Sequence, residues 1–343
     1  MSDDAAPARK SRRGSGAVTL RDVAKIAGVA PITASRAVNS PDQVSDEVLK
    51  KVRDAIARTG YVPNMLAGGL ASRRSRLVAA VVPTIAGPVF RETIQALIET
   101  LAEHGYQLML GQSGYSGNRE DALLDAIIGR RPDGIVLTGI MHSPEGRRRL
   151  LASGIPVVET WDLTPTPIDM LVGFSQAEVG RRVAQFFHAR GRRRLAIVIG
   201  DDERAARRLE AFEARAKELG LGPVRTATVP APTTLRSGRE ALARWLDGGA
   251  DIDAVFCSSD LLALGVLAEA QARGVAIPGQ LAVVGFGDLE FAADVHPALT
   301  TVHVNGAAIG RQAARFIVDR AEERPITERV VDVGTAIVER AST

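Results

Sequence analysis

Four side chains, Ile32, Ser35, Arg36 and Asn39, recur at the spacing of one helical face behind Pro31. Those types at that spacing suit the reading of base edges in DNA, since Arg donates through a fork, Asn donates and accepts side by side, a Ser hydroxyl serves either way, and Pro and Ile can meet a thymine methyl. Elsewhere the residues that carry chemistry are scattered. His104, His142, His188, His296 and His303 stand singly, no H-x-x-x-H or H-E-x-x-H occurs, and the lone Cys257 lies in an apolar run, where it reads as a small core residue. Neither G-x-G-x-x-G nor G-x-x-x-x-G-K-[ST] is present, so the loops that cradle phosphates in dinucleotide enzymes and kinases are missing. No metal, cofactor or catalytic constellation is expected, and an enzyme reading lacks its groups. Arg208 follows the acidic run Asp201-Asp202-Glu203. It either pairs with that run or faces a cleft, where a forked guanidinium suits a carboxylate or vicinal hydroxyls.

The elements that would hold the Pro31 face are written around it. Leu20, Val23, Ala24 and Ala27 fall at i, i+3, i+4 and i+7, Thr19 with Asp22 approximates a capping box, and Gly28 sits where a helix stops with a left-handed residue. Pro31 fits the first turn of the next helix, where its missing N–H costs nothing, and Ala34, Ala37 and Val38 point inward. A third helix is predicted over Asp46 to Arg58, with Ser45 as N-cap, Val48, Leu49, Val52 and Ile56 inward, and Gly60 past its end. The result is a helix-turn-helix whose second helix enters the major groove. A unit this small has little core, so display suits it better than catalysis.

The rest of the composition is that of ordinary globular protein, 343 residues with 45% hydrophobic content. Residues 1–17 form a basic tail with Arg9, Lys10, Arg12 and Arg13, read as disordered. It lacks the apolar core of a secretory signal, and no later stretch is long and apolar enough for a membrane span. The chain is therefore expected to stay in the cytosol. Charge is uneven: residues 1–76 hold 14 Lys/Arg against 7 Asp/Glu, and the remainder 29 against 33. A basic head on a mildly acidic body suits a polyanion-binding module joined to a regulatory domain.

From Leu77 onward apolar runs alternate with amphipathic segments, the pattern of doubly wound α/β sheets. Strands are predicted at Leu77 to Val82, Tyr106 to Leu110, Gly134 to Thr138 and Pro156 to Thr160, with helices near Arg91 to His104, Arg119 to Arg130 and Pro144 to Ala152. A second set follows, with strands near Leu195 to Ile199, Val224 to Val229, Ala254 to Cys257 and Leu281 to Gly285, and helices near Glu203 to Leu219, Arg236 to Asp247 and Leu261 to Arg273. Ligands of such sheets bind outside the carboxyl ends of the strands, so two lobes facing each other make a cleft.

The order helix-turn-helix, Val44-Ser45, G-Y-V-P-N from Gly60 and A-G-G-L-A from Ala67 resembles the LacI/GalR family of bacterial transcription regulators. The resemblance runs from about Val18 to Arg340. It takes in R-R-P-D-G-I-V-L-T from Arg130, G-I-P-V-V from Gly154, A-V-F-C-S-S-D-L-L-A-L-G from Ala254, and V-V-G-F-G-D followed by P-A-L-T-T-V. The stretches G-Y-Q-L-M-L-G-Q-S-G-Y-S, L-T-G-I-M-H-S-P and I-P-V-V-E-T-W-D look closest to gluconate-operon repressors. The resemblance implies a helix-turn-helix domain over 18–63, a hinge helix and linker over 64–76, and a periplasmic-binding-protein-like effector and dimerisation domain over 77–343, its two lobes joined by crossings near 174 and 302. It places Thr19, Pro31, Ile32, Thr33, Ser35, Arg36, Asn39, Ser45, Tyr61, Asn64, Ala67 and Leu70 at the DNA, with Leu70 as a wedge in the minor groove. Gly68 and Gly69 together cost about 2 kcal/mol of helix propensity, so a helix that forms only against DNA and a dimer mate makes physical sense.

By the same resemblance the effector would meet Phe90, Thr138, Trp161, Arg208, Asp260 and Asp288. Two departures bear on that set. Ala211 stands where many members have Gly, and Gly287 stands where many have an Asp used on a sugar hydroxyl, which leaves Asp288 as the candidate for that role. The expected protein is a homodimeric repressor of sugar or sugar-acid genes that binds a pseudo-palindromic operator in double-stranded DNA and is switched by a small effector, gluconate being the leading choice. The rivals are a cytosolic or transport-type sugar-binding protein without a DNA role, which the basic head disfavours, and an enzyme on the same sheet fold.

Overall fold

The computed structural model describes residues 18–62 and 74–343, apart from positions 86, 116 and 141. It divides into two compact units that meet at Ser75/Arg76. In the first, α1 (Leu20–Ala27), α2 (Pro31–Asn39) and α3 (Asp46–Thr59) surround a small core of Val23, Ala24, Ala34, Ala37, Val52 and Ala55. The capping box is formed: the Thr19 backbone N–H and hydroxyl both donate to Asp22 Oδ2, at 2.8 and 2.6 Å, and the Asp22 N–H returns to the Thr19 hydroxyl. Gly28 closes α1 at φ 69°, a left-handed value that glycine takes without strain. Ser45 precedes α3, but its side chain makes no cap bond, and α3 runs one residue beyond the expected end.

The second unit contains two six-stranded sheets. The first is ordered β11-β5-β4-β3-β1-β2, with β1 (Leu77–Val82), β2 (Gln107–Gln112), β3 (Gly134–Thr138), β4 (Val157–Thr160), β5 (Met170–Gly173) and β11 (Val330–Asp332) all parallel. The second is ordered β12-β10-β9-β8-β6-β7, with β6 (Leu195–Gly200), β7 (Arg225–Val229), β8 (Ala254–Cys257), β9 (Ala282–Gly287) and β10 (Thr300–His303) parallel and β12 (Ala336–Val338) antiparallel to β10. Parallel strands buried on both faces explain the unbroken apolar runs Leu195-Ala-Ile-Val-Ile and Ala254-Val-Phe-Cys.

Helices cover both sheets. The first lobe carries α4 (Arg91–Glu103), α5 (Gly117–Ile128) and α6 (Pro144–Ser153), and the second carries α8 (Glu203–Glu218), α9 (Leu235–Asp247) and α10 (Asp260–Ala272). Two further helices, α7 (Gln176–Ala189) and α11 (Gly306–Ala321), follow the chain's passages between sheets. The passages fall after Gly173 and after His303, and a third, absent from the sequence expectation, joins β11 to β12. Both crossing helices dock unusually closely. A Cβ on Gly180 of α7 would lie 2.2 Å from the Arg208 carbonyl oxygen of α8, and one on Gly310 of α11 would lie 2.2 Å from that of Thr93 in α4. Each glycine thus lets two backbones touch, and the contact at Gly180 seats α8, which carries Arg208, against α7.

Candidate functional site: the DNA-reading helix and the inter-lobe cleft

On α2 the inward Ala34 and Ala37 leave Pro31, Ile32, Arg36 and Asn39 exposed, with Thr33 and Ser35 half-buried beside them. Ile32 is 64% exposed, an apolar side chain with no fold partner to explain it. Arg36 makes no ion pair among the described residues. Asn39 Nδ2 donates to the Ser35 carbonyl at 3.0 Å and to its hydroxyl at 3.2 Å, which fixes the amide and leaves its oxygen outward. Thr19 is committed to its cap, Ser45 is exposed, and Tyr61 packs half-buried against the unit's core. Asn64, Ala67 and Leu70, with the rest of the hinge up to position 73, lie outside the described residues, as does the tail 1–17.

In the second unit the carboxyl ends of the two sheets enclose two adjoining cavities. The smaller, about 80 Å³, is lined by Phe90, Trp161, Gln176, Arg208, Thr233, Ser258 and Phe286 among others. The larger, about 150 Å³, is lined by Ser113, Glu120, Thr138, His142, Asp201 and Glu203 among others. Tyr115, Asp202 and Arg204 belong to both. The structure therefore brings Phe90, Trp161 and Arg208 around one cavity and puts Thr138 in the neighbouring compartment.

Arg208 is the unusual group around that cavity. Its side chain is buried, its guanidinium carbon sits 4.4 Å from the centre of the Phe286 ring, and one Nη donates to Gln176 Oε1 in a short hydrogen bond. Its Nε has no hydrogen-bond partner, and no carboxylate pairs with it among the described residues. Burial lowers its pKa to about 10, against a smaller opposing pull from Asp202, so it stays cationic at neutral pH. An aromatic chain forms the floor: Phe90 and Trp161 meet edge-on at 4.9 Å, Trp161 and Phe174 at 5.8 Å, and Phe174 and Phe286 at 6.1 Å. The indole N–H of Trp161 is taken by the Thr93 hydroxyl at 3.2 Å, which leaves its ring face as the contact surface. Trp161 has φ 70°, a left-handed strain for a bulky residue, and Gln176 holds its carbonyl at 2.7 Å.

Asp260 and Asp288 do not line either cavity. The Asp260 carboxylate accepts from the Thr301 hydroxyl at 2.6 Å and the Leu289 N–H at 2.7 Å, and a Cβ on Gly285 would strike it. Burial raises its pKa to about 6, and its bonds serve to pin the end of β9. Asp288 accepts from Arg340 at 2.8 Å and His303 at 3.0 Å, so its charge is spent on the C-terminal segment. Both residues end up as struts behind the cleft because a strand end is equally suited to anchor its neighbours.

Several lining groups were missed. Gln176 opens α7, a helix the periodicity did not disclose, and Arg204 stands one turn before Arg208, a spacing that could have drawn attention to it. Its guanidinium lies 5.3 Å from the Phe90 ring centre and 3.7 Å from Asp202, and one Nη is buried without a partner. His142, one of the singly scattered histidines, is 3% exposed, with Nδ1 2.6 Å from Glu120 and Nε2 3.4 Å from Glu159. Burial alone would lower its pKa, but the Glu120 hydrogen bond and the charges of the two glutamates outweigh it and raise the value to about 9.

Residues 19–64 match the family of bacterial regulatory proteins, lacI family, and residues 184–343 match the periplasmic binding protein-like domain. The HTH-type transcriptional regulator GntR of Pseudomonas aeruginosa is 38% identical over 336 residues, 97% of this chain and 98% of that protein. The regulator of the same name from Escherichia coli is 30% identical over 316 residues, 92% and 95% of the two chains. A solved LacI-family regulator from Silicibacter pomeroyi superposes with a TM-score of 0.90 at 32% identity, covering 95% of this chain and 99% of its own. These relatives are transcription regulators, and no helix among the described residues is long and apolar enough to cross a membrane. With an exposed recognition helix, an α/β unit of two lobes and relatives matched along nearly its whole length, the chain belongs to the LacI family of DNA-binding transcription regulators.

Proposed function

We propose that the protein is a homodimeric repressor of sugar-acid catabolic genes in the bacterial cytoplasm, bound to a pseudo-palindromic operator and switched by an aldonate of the gluconate type in the inter-lobe cleft. One observation carries the aldonate: a buried, cationic Arg208 whose Nε is unpaired and whose guanidinium faces a cavity wall of Phe286, Phe90 and Trp161. A buried cation without a counter-charge is costly, and a ligand carboxylate removes that cost through charge-assisted hydrogen bonds. The aromatic faces suit the C–H surfaces of a sugar chain, and Thr233 and Ser259, bonded to one another at 2.9 Å, offer hydroxyls on the opposite wall. Because α8 belongs to one lobe and Phe90 and Trp161 to the other, a ligand that touches both favours the closed arrangement, and only such a difference in affinity can alter operator binding.

The test is a gel shift on DNA upstream of the chain's own gene, titrated with gluconate, related aldonates and neutral hexoses. Gluconate should change operator affinity at lower concentration than any neutral sugar. Arg208→Ala should bind operator normally but ignore gluconate. A neutral sugar acting more strongly, or an Arg208→Ala protein that responds in full, would sink the aldonate.

A further inference from the structure

The larger cavity has a charge character opposite to that of Arg208. Four acidic residues, Glu120, Asp201, Asp202 and Glu203, line it against two cations, His142 and Arg204. His142 is held by Glu120 at 2.6 Å and faces Glu159 at 3.4 Å, and Arg204 stands 3.7 Å from Asp202. The compartment is nonetheless built to receive something. One Nη of Arg204, close to Gly139 in the lining, is buried with no hydrogen-bond partner. The Thr138 side chain reaches the same lining, and Ser113 is held by carbonyls at 3.4 and 3.1 Å.

Resting on the effector-cleft reading above, we propose that this compartment reads the far end of the effector and admits a hydroxyl-bearing end while rejecting a second anion. The two cavities share Tyr115, Asp202 and Arg204, so a chain anchored by its head at Arg208 runs into the larger one past Arg204. There carboxylates accept from hydroxyl O–H groups, and the unpartnered Nη of Arg204 can donate to a hydroxyl oxygen. A terminal carboxylate or phosphate in the same place would meet four acidic residues against two cations that each already face a carboxylate, and like-charge contact is how sites refuse wrong partners. The protein would thus distinguish an aldonate from the corresponding aldarate or phosphorylated acid, molecules that share the head and differ at one carbon.

Calorimetry on the full-length protein tests this with two series that vary only at the last carbon: gluconate, glucarate and 6-phosphogluconate, and glucose, glucuronate and glucose 6-phosphate. In the series the cleft accepts, each member with an anionic end should bind at least about tenfold more weakly than the hydroxyl-ended one, about 1.4 kcal/mol. Glu120→Gln and Asp201→Asn, which keep an acceptor oxygen and remove a charge, should each narrow that gap by at least about threefold. Comparing gluconate with glucose reports on the Arg208 reading separately; if only the neutral series binds, the aldonate fails and the end-group comparison still stands in that series. Equal or tighter binding of the anionic ends, a gap unchanged in both variants, or no binding in either series would overturn the proposal.

Discussion

His142 makes the stability of the second unit depend on pH in a direction that can be worked out. Its pKa is raised from 6.5 to about 9 because the Glu120 hydrogen bond and the charges of Glu120 and Glu159 overcome the penalty of burial. A group whose pKa is higher in the folded than in the unfolded chain binds more protons when folded, so stability falls as pH rises between the two values. The imidazolium's contribution is fully present below pH 6.5 and is lost as pH climbs through about 9. Each tenfold change in proton affinity is worth about 1.4 kcal/mol, so the full contribution is on the order of 3 kcal/mol. Both tryptophans, Trp161 and Trp245, belong to this unit, so fluorescence during urea unfolding reports on it alone. The assay compares wild type with His142→Gln at about pH 6 and about pH 9.5, since the difference between the two proteins cancels every other titrating group. The wild-type advantage should be large at the lower pH and shrink by a few kcal/mol at the higher, on the order of the full linkage. An advantage that is the same at both values would show that His142 is not held as an imidazolium by the two glutamates.

Other perturbations have equally direct readings. Arg208→Ala should weaken aldonate binding by about 2 to 4 kcal/mol, seen by calorimetry, because the ligand carboxylate then loses its buried partner. Gly180→Ala should destabilise the second unit by about 1 to 3 kcal/mol or more in urea unfolding, since the added methyl meets the Arg208 carbonyl at 2.2 Å and must push α7 from α8. Thr19→Ala removes the capping hydroxyl of α1 and should cost the DNA-binding unit about 1 kcal/mol, read by thermal melting followed by circular dichroism. Arg36→Ala should weaken operator binding; a loss confined to certain operator positions indicates base reading, whereas a uniform loss with a shallower salt dependence indicates phosphate contact.

Much of the architecture was legible because its signals are local. The Thr19 cap, Gly28 and Pro31 punctuate the first unit within a few residues of one another, and the strands of both lobes are apolar runs that only a doubly covered parallel sheet produces. What escaped notice depends on contacts distant in sequence. α7 and α11 carry Gly180 and Gly310 in their interiors, a weakness by local propensity that the close backbone packing of each helix compensates. β11 and β12 are three residues each and acquire their meaning only by adding to the edges of different sheets. The site divides along the same line. Arg208, Phe90 and Trp161 stood out by type, whereas the duties of Asp260 and Asp288 were decided by Thr301, Leu289, Arg340 and His303, partners that no spacing rule identifies.

The short link from Asp332 of β11 to Ala336 of β12 also governs how the lobes can move. Three residues lie between strands that are stitched into opposite sheets, and fully extended they span no more than about 14 Å. Together with the connections after Gly173 and His303 they act as three parallel straps on a door, one of them too short to slacken. Wide separation and free tumbling are excluded, and what remains is limited rotation of one lobe against the other. A molecule bridging the cleft would therefore meet lobes whose relative freedom is already narrow, so that little of its binding energy need go to ordering them.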